Sequence, residues 1–186
     1  MIAQSQFSRD ASDGSNRQVF EERIDVGGAL ESVVQDDFGA LDESVSANGR
    51  YIALTHDDRR DRNDILVHDR ENGETRPFLA TQDGDDHPAF SPDGTRLPYA
   101  ANDSGRSEVY VRPFPGPGGQ WRISTAGGLY SRWSAAARAL LFLNQATIMA
   151  APYAVVGDSF RADTPQVWSP TSIQGASVTN SGYDLH

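Results

Sequence analysis

Short apolar runs that follow tight-turn signals recur along this chain at a nearly constant interval. The best-formed copy of the turn reads Ser91-Pro92-Asp93-Gly94, in which proline presets φ and glycine accepts a positive φ. An upstream copy reads Ser46-Ala47-Asn48-Gly49, and a downstream copy reads Ser134-Ala135-Ala136-Ala137. We call these tetrapeptides the anchor turns. Their serines lie 45 and 43 residues apart, which indicates a structural repeat of roughly 40–45 residues.

Each repeat contains several short candidate strands separated by turns. Glu108-Val109-Tyr110-Val111-Arg112 alternates polar and apolar residues, as expected for a strand with one face more buried than the other. Strands are predicted at 50–55, 64–69 and 75–79. In the next repeat a first strand is predicted to begin at His87, and further strands at 95–101, 108–113 and 120–124. Turns are predicted at 47–49, 92–94 and 116–119. Seven large side chains are predicted to be buried between sheets: Tyr51, Phe90, Tyr99, Val109, Val111, Trp133 and Phe142.

The stretch from His87 to Ser124 resembles the TolB-like (WD-repeat-like) β-propeller repeat. Similar repeats occur in propellers attached to bacterial Ser/Thr kinases and in those of prolyl-oligopeptidase-like peptidases. The resemblance implies an all-β fold, a β-propeller made of four-stranded antiparallel blades. We expect one propeller domain over 1–186, with about four blades, at about 1–41, 42–86, 87–129 and 130–181, and with 182–186 as a first strand that completes another blade.

The two ends of the sequence suggest how the ring closes. Residues 1–35 contain candidate strands at 2–8, 18–24 and 31–35, which are typical of the second, third and fourth strands of a blade. Closed propellers have four to eight blades. We therefore expect a homodimer in which 182–186 of each copy completes the first blade of the other. The alternatives are that the sequence is a segment of a larger open reading frame, or that one chain closes on itself with the same strand.

Two residues depart from a regular repeat. Pro98 lies in a predicted inner strand, where it lacks the N–H that the neighbouring strand requires. The third anchor turn has no Asp-Gly, although Gly suits a tight turn best. Both departures predict local irregularity within an otherwise intact repeat.

Charge and composition narrow the class of partner. The net charge is −10, and all 16 positive charges are arginines, with no lysine in the chain. This balance argues against nucleic-acid binding, which needs a basic surface, and against anionic membranes. There is no cysteine, so thiolate chemistry and disulfides are excluded. No signal peptide is recognisable, and we expect a cytoplasmic protein, or a periplasmic one if an upstream signal sequence is missing.

The first strands of the repeats carry the candidate ligand-binding residues, because first strands line the axis of a propeller. Aligning the anchor turns places Asp42, His87, Tyr130 and Gly182 in one ring, and Ser44, Ala89, Arg132 and Asp184 in the next. Five residues are candidates at the channel mouth: Asp42, Asp86, His87, Arg132 and Asp184. They suit a small polar ligand, or Ca²⁺ or another divalent cation. The alternative is a solvated acidic rim that binds nothing.

A second candidate site is Ser159, within Gly157-Asp158-Ser159-Phe160. This tetrapeptide is similar to the Gly-Asp-Ser block of one lipase and esterase family, with Asp184 and His186 as conceivable catalytic partners. The alternative is a hairpin turn between strands at 148–153 and 165–168. No nucleophile elbow, zinc helix or phosphate-binding loop occurs in the sequence.

These observations favour a non-catalytic binding module that presents a face or a channel to a protein or a small-molecule partner. The competing hypothesis is a hydrolase acting on ester bonds near the channel, with or without a metal. The sequence identifies no natural ligand.

Overall fold

The computed structural model describes residues 4–10, 17–23, 31–35, 40–57, 63–102, 105–157 and 159–169. Within these ranges the chain forms strands and no helix, so none of them contains a helix that could cross a membrane. The strands are β1 Gln4–Asp10, β2 Arg17–Arg23, β3 Glu31–Gln35, β4 Ala40–Val45, β5 Tyr51–Asp57, β6 Asn63–Asp69, β7 Glu74–Leu79, β8 Asp85–Asp86, β9 Arg96–Ala101, β10 Glu108–Pro113, β11 Trp121–Arg122, β12 Leu129–Ser134, β13 Ala139–Asn144, β14 Thr147–Val156, β15 Ser159–Ala162 and β16 Gln166–Val167. The predicted all-β fold is confirmed.

The strands form four antiparallel sheets in chain order, which we call blades one to four. Blade one is β1–β2–β3, and blade two is β4–β5–β6–β7. Blade three is β8–β9–β10–β11, and blade four is β12–β13–β14–β15, with β16 also paired to β14. Every strand pair is antiparallel, so the meander predicted from the repeat is confirmed.

The first strand of blade three is not where the sequence predicted it. The strand was expected to begin at His87, but it lies at Asp85–Asp86, because His87 adopts a positive φ of 56° and interrupts the ladder. Pairing resumes when the Ala89 N–H donates to the Pro98 carbonyl at 3.2 Å. One extra residue therefore separates the two paired segments, which is the definition of a β-bulge.

The same bulge recurs in the neighbouring blades. In blade four the register shifts between Leu129 and Arg132, and Tyr130 has a φ of 53°. In blade two it shifts between Ala40 and Glu43. The bulge thus recurs in the first strands of blades two, three and four.

The first two anchor turns share one hydrogen-bond network. Ser91 Oγ donates to Asp93 Oδ1 at 2.5 Å and accepts the Arg96 N–H at 3.0 Å. In blade two, Ser46 Oγ and Asn48 Oδ1 make the same bond at 2.7 Å. The third turn keeps the length but moves the positive φ to Arg138, at 51°, because it has no glycine to adopt it.

Two details of the outer strands correct the prediction. No turn forms at 116–119, since β10 and β11 are joined by an irregular loop that runs from Phe114 to Gln120. The predicted strand at 120–124 is limited to Trp121–Arg122. Loop residues Pro115 and Pro117 have no N–H to donate, so this segment cannot extend the ladder.

The core lies between consecutive blades. One cluster joins residues of blade two, such as Ile65 and Val67, to Leu97 and Tyr99 of blade three. A second joins Val109 and other residues of blade three to Leu140 and Phe142 of blade four. Five of the seven side chains predicted to be buried are so: Phe90, Tyr99, Val109, Val111 and Phe142.

Tyr51 and Trp133 are only partly buried, which corrects the prediction for both residues. Tyr51 packs edge-on against Phe114 at 5.0 Å while the Arg50 guanidinium lies 4.9 Å from its ring centroid. Trp133 lies at the border between blades three and four, where its indole N–H has a specific acceptor. The repeat pattern alone does not distinguish such border positions from the core.

Candidate functional site

The bulge residues of blades three and four lie side by side. The rings of His87 and Tyr130 meet edge to face, with 4.1 Å between their centroids. The His87 N–H donates to Thr55 Oγ1 at 3.1 Å, and His87 Nδ1 lies 2.6 Å from Asp86 Oδ1. The structure thus brings together His87 and Tyr130 of the first predicted ring and the adjacent Asp86. The side chain of Asp42, which lies in β4, and residues 182–186 fall outside the described part.

Residues of the second predicted ring line a common groove of about 320 Å³. Ser44, Ala89 and Arg132 come from the same repeat position in blades two, three and four. We call it the first-strand groove; its remaining lining residues are Val45, Ala47, Phe90, Ser91, Pro92 and Trp133. Arg132 is half-buried, and its Nη1 donates to the Ser131 carbonyl at 3.0 Å.

Two hydrogen bonds hold the walls of the first-strand groove together. The Phe90 N–H donates to Ser44 Oγ at 2.9 Å and joins blade three to blade two. Trp133 Nε1 donates to the Ala89 carbonyl at 3.1 Å and joins blade four to blade three. Because both bonds cross a blade boundary, they link blades two, three and four at the groove.

A smaller pocket of about 100 Å³ adjoins the groove and shares Ser91, Pro92 and Trp133 with it. One of its polar residues is Arg96, a buried arginine whose Nη1 donates to Thr95 Oγ1 at 2.7 Å and lies 3.3 Å from Asp93 Oδ2. The guanidinium stands 5.8 Å from the centroid of Phe160. On the apolar side, burial raises the pKa of the Tyr153 hydroxyl. Arg96 thus packs blade three against the aromatic side chains of blade four.

Asp85 is a fully buried carboxylate next to the predicted channel mouth. Its Oδ2 accepts the Thr81 N–H at 3.0 Å, while Oδ1 has no hydrogen-bond partner. Burial raises the pKa of Asp85, and the hydrogen bonds from Thr81 only partly oppose this shift. Among the described residues, no three His, Asp or Glu side chains are placed to hold a metal, so these ranges provide no ligand set for the predicted divalent cation.

Sequence reasoning missed the polar network around Glu108. This buried carboxylate accepts hydrogen bonds from Arg106 Nε, Arg122 Nη2 and the Gly127 N–H, each at 3.0 Å, and from Ser124 Oγ. Burial alone would raise the pKa of Glu108, but these donors outweigh it and hold the pKa below its ordinary value. The sequence signal for this network was a glutamate, Glu108, at the start of an apolar strand with arginines nearby. The network joins β10, β11 and the loop before β12.

The Ser159 candidate lies in a hairpin. Ser159 pairs with Val156 across a turn in which Gly157 has a φ of 58°, so β14 and β15 are the strands that flank it. The predicted partner at 165–168 contributes only Gln166–Val167, which also pairs with β14. Ser159 is exposed, and no histidine of the described residues donates or accepts a hydrogen bond with it. A serine nucleophile needs an adjacent base, and the candidates Asp184 and His186 lie outside the described residues. The hydrolase hypothesis is therefore not favoured.

Solved structures with this arrangement of blades are propellers. A TolB-type protein from Agrobacterium tumefaciens superposes with a TM-score of 0.66 at 15% identity, covering 89% of this chain and 62% of that one. TolB from Acinetobacter baumannii gives 0.63 at 15% identity, covering 86% and 41%. The chain has the TolB-like β-propeller fold. An auxiliary nutrient binding protein from Bacteroides thetaiotaomicron gives 0.59 at 12% identity, covering 87% and 40%.

This TolB-like propeller spans less than two thirds of the length of each of these three structures. At such low identities the similarity shows the fold alone, since one fold serves many unrelated functions. No family model matches the sequence, and no curated protein matches it. The site must therefore be interpreted from its own residues.

Proposed function

We propose that this TolB-like propeller is a non-catalytic binding module whose first-strand groove receives a protein or a small-molecule partner. The observation that carries the proposal is that one repeat position in three consecutive blades, occupied by Ser44, Ala89 and Arg132, lines one groove of about 320 Å³. Ligand sites are concave, largely pre-formed and of about this size. A bulge lies in the first strand of each of these three blades.

The chemistry of the groove suits a partner with one polar or anionic group beside an apolar one. Arg132 supplies a half-buried cation, and Trp133 and Phe90 supply aromatic surface. Arginine and aromatic residues carry much of the binding energy at interfaces. The nutrient binding protein among the structural neighbours is named for a binding role, which fits the proposal without identifying a ligand for this chain.

A blocking variant tests the groove. Ala47 is exposed and lines the groove, so Ala47→Trp should fill its mouth without touching the core. Ala80→Trp, at an exposed position outside this groove, is the matched control. We expect peptides selected from a display library on the wild type to bind Ala47→Trp and Arg132→Ala about tenfold or more weakly and Ala80→Trp equally well. Selected peptides that bind all four proteins alike would contradict the proposal.

The same protein preparations test the competing hydrolase. Assays with short p-nitrophenyl esters, with and without EDTA, should show no turnover above buffer. Activity that survives repurification and is lost in Ser159→Ala or His87→Ala would contradict the binding module and support the hydrolase hypothesis. The cytoplasm is our prediction for the compartment, and subcellular fractionation of the native host tests it.

A further inference from the structure

A second groove, of about 470 Å³, lies between the last strand of blade two and the loop that follows β10. We call it the rim groove; Arg76 and Phe78 of β7 form one wall, and Arg112 with Phe114 and the loop 113–118 form the other. It shares no lining residue with the first-strand groove. The rim groove is therefore a separate surface of the propeller.

The rim groove is positively charged in a chain whose net charge is −10. Neither the Arg76 nor the Arg112 side chain forms a salt bridge or a hydrogen bond with a described residue, and no Asp or Glu lines the groove. Arg112 Nε is buried without an acceptor. Other arginines are engaged: Arg50 pairs with Asp69 at 2.7 Å, and Arg106 pairs with Glu108 at 3.0 Å.

Asp69 interacts electrostatically with Arg76, but it already forms a salt bridge with Arg50. Two hydrogen bonds from Arg50, at 3.0 and 2.7 Å, hold the pKa of Asp69 below its ordinary value, and Arg76 adds only a minor contribution. The two rim arginines thus keep their capacity to bind an outside anion. A guanidinium binds a carboxylate through two parallel hydrogen bonds.

Aromatic side chains accompany the two arginines. Phe78 is half-buried and packs at 5.8 Å against Phe114, which the core holds in place through edge contacts with Tyr51 and Phe90. Phe78 is the unpaired residue of a register shift in β7, and it lines the same groove as Arg76. Arginine and aromatic residues without acidic ones are the composition of the centre of a protein interface. A bare phosphate would leave this apolar wall uncovered.

We propose that the rim groove binds an extended acidic peptide segment of a partner protein. Carboxylates of the segment pair with Arg76 and Arg112, and an apolar side chain between them packs on Phe78. This site is independent of the first-strand groove, so either proposal can fail without the other.

Fluorescence anisotropy with a labelled acetyl-EEFEE-amide peptide tests the proposal, with the neutral acetyl-QQFQQ-amide as its control. We expect saturable binding of the acidic peptide that weakens as salt is added, and binding of the neutral peptide about tenfold weaker or worse. Arg76→Gln and Arg112→Gln should each weaken binding about tenfold. Arg138→Gln, which removes an exposed charge from a turn of blade four, should leave the binding constant unchanged.

Arg112→Lys keeps the charge but not the two-pronged geometry, and it should bind with intermediate affinity. If Arg112→Gln does not fold, Arg76→Gln decides, because Arg76 is exposed and its replacement leaves the core intact. Three results would overturn the proposal: no saturable binding of the acidic peptide, equal binding of both peptides, or binding unchanged in Arg76→Gln. If inorganic phosphate competes with the peptide at equal concentration, the ligand of the rim groove is a small anion and not a peptide. If the protein self-associates and this association is lost in Arg76→Gln, the rim groove binds a second copy of the chain and not a separate partner.

Discussion

The Ala89 carbonyl faces Pro98 in blade three and accepts its hydrogen bond from Trp133 of blade four. In a regular antiparallel pair, residues 89 and 98 would exchange two hydrogen bonds. Ala89 donates to the Pro98 carbonyl, but proline has no N–H to return, and the Ala89 carbonyl instead accepts the indole N–H of Trp133. A residue that breaks the pattern in one blade is thus compensated by the next blade. A donor that comes from a distant residue in this way cannot be deduced from a repeat alignment.

A double-mutant cycle tests this compensation. Trp133→Phe should destabilise the protein by about 1–3 kcal/mol, because the buried Ala89 carbonyl loses its donor. Pro98→Ala restores a backbone N–H, so in the Trp133→Phe background it should recover about 0.5–2 kcal/mol that it does not provide in the wild type. Denaturant unfolding gives the four free energies. Additive effects would mean that Trp133 does not compensate for the N–H that Pro98 lacks.

Trp121→Phe is the matched control for the cycle. Trp121 is also partly buried, and its ring lies 5.4 Å from Phe160, but its indole makes no hydrogen bond with a described residue. Combined with Pro98→Ala, this substitution should be additive within experimental error.

At the scale of strands, the repeat makes the centre of each blade predictable and its edges less so. The ranges of β5, β6, β9 and β10 agree with the sequence pattern to within about two residues. The first strand of blade three was misplaced because a bulge at His87 leaves no mark in hydrophobic periodicity. The first-strand groove follows from aligning the anchor turns, whereas the rim groove depends on a loop whose course no pattern specifies.

The Glu108 network should make the junction of β10, β11 and β12 sensitive to pH. A carboxylate with a depressed pKa stabilises the fold fully above its unfolded-state pKa, here 4.5, and loses this contribution as the pH falls through the lower folded-state pKa. We expect Glu108→Gln to destabilise the protein by about 1–3 kcal/mol at pH 7, since its donors lose a charged acceptor. The difference from wild type should shrink below pH 4.5.

Urea unfolding of both proteins at pH 7 and in the acid range measures this difference. Glu74→Gln, at an exposed position where Asn72 Nδ2 donates to the carboxylate at 3.4 Å, is the control and should change stability little at either pH. A destabilisation by Glu108→Gln that is equal at both pH values would show that burial of the side chain, rather than its charge, matters.

At the scale of the whole molecule, the blades differ in strand number. In the described part of the chain blade one has three strands, and the other blades have four or five. A strand added beside β1 would complete blade one, satisfying the orphan groups of that edge. Our prediction is that residues 182–186 of a second copy supply it and that two such exchanges close the ring with two-fold symmetry.

Light scattering tests this assembly. A mass of about 40 kDa, twice the 20.2 kDa of one chain, is expected for the pair. Deleting 182–186 should then dissociate the dimer or make the protein insoluble, because blade one would lose its added strand. A soluble monomer of full length would eliminate the pair and favour a chain that closes on itself with the same strand. A dimer that survives the deletion would show that another surface holds the two copies together, and the exposed Val167 and Trp168 on the edge of blade four would be the first positions to change.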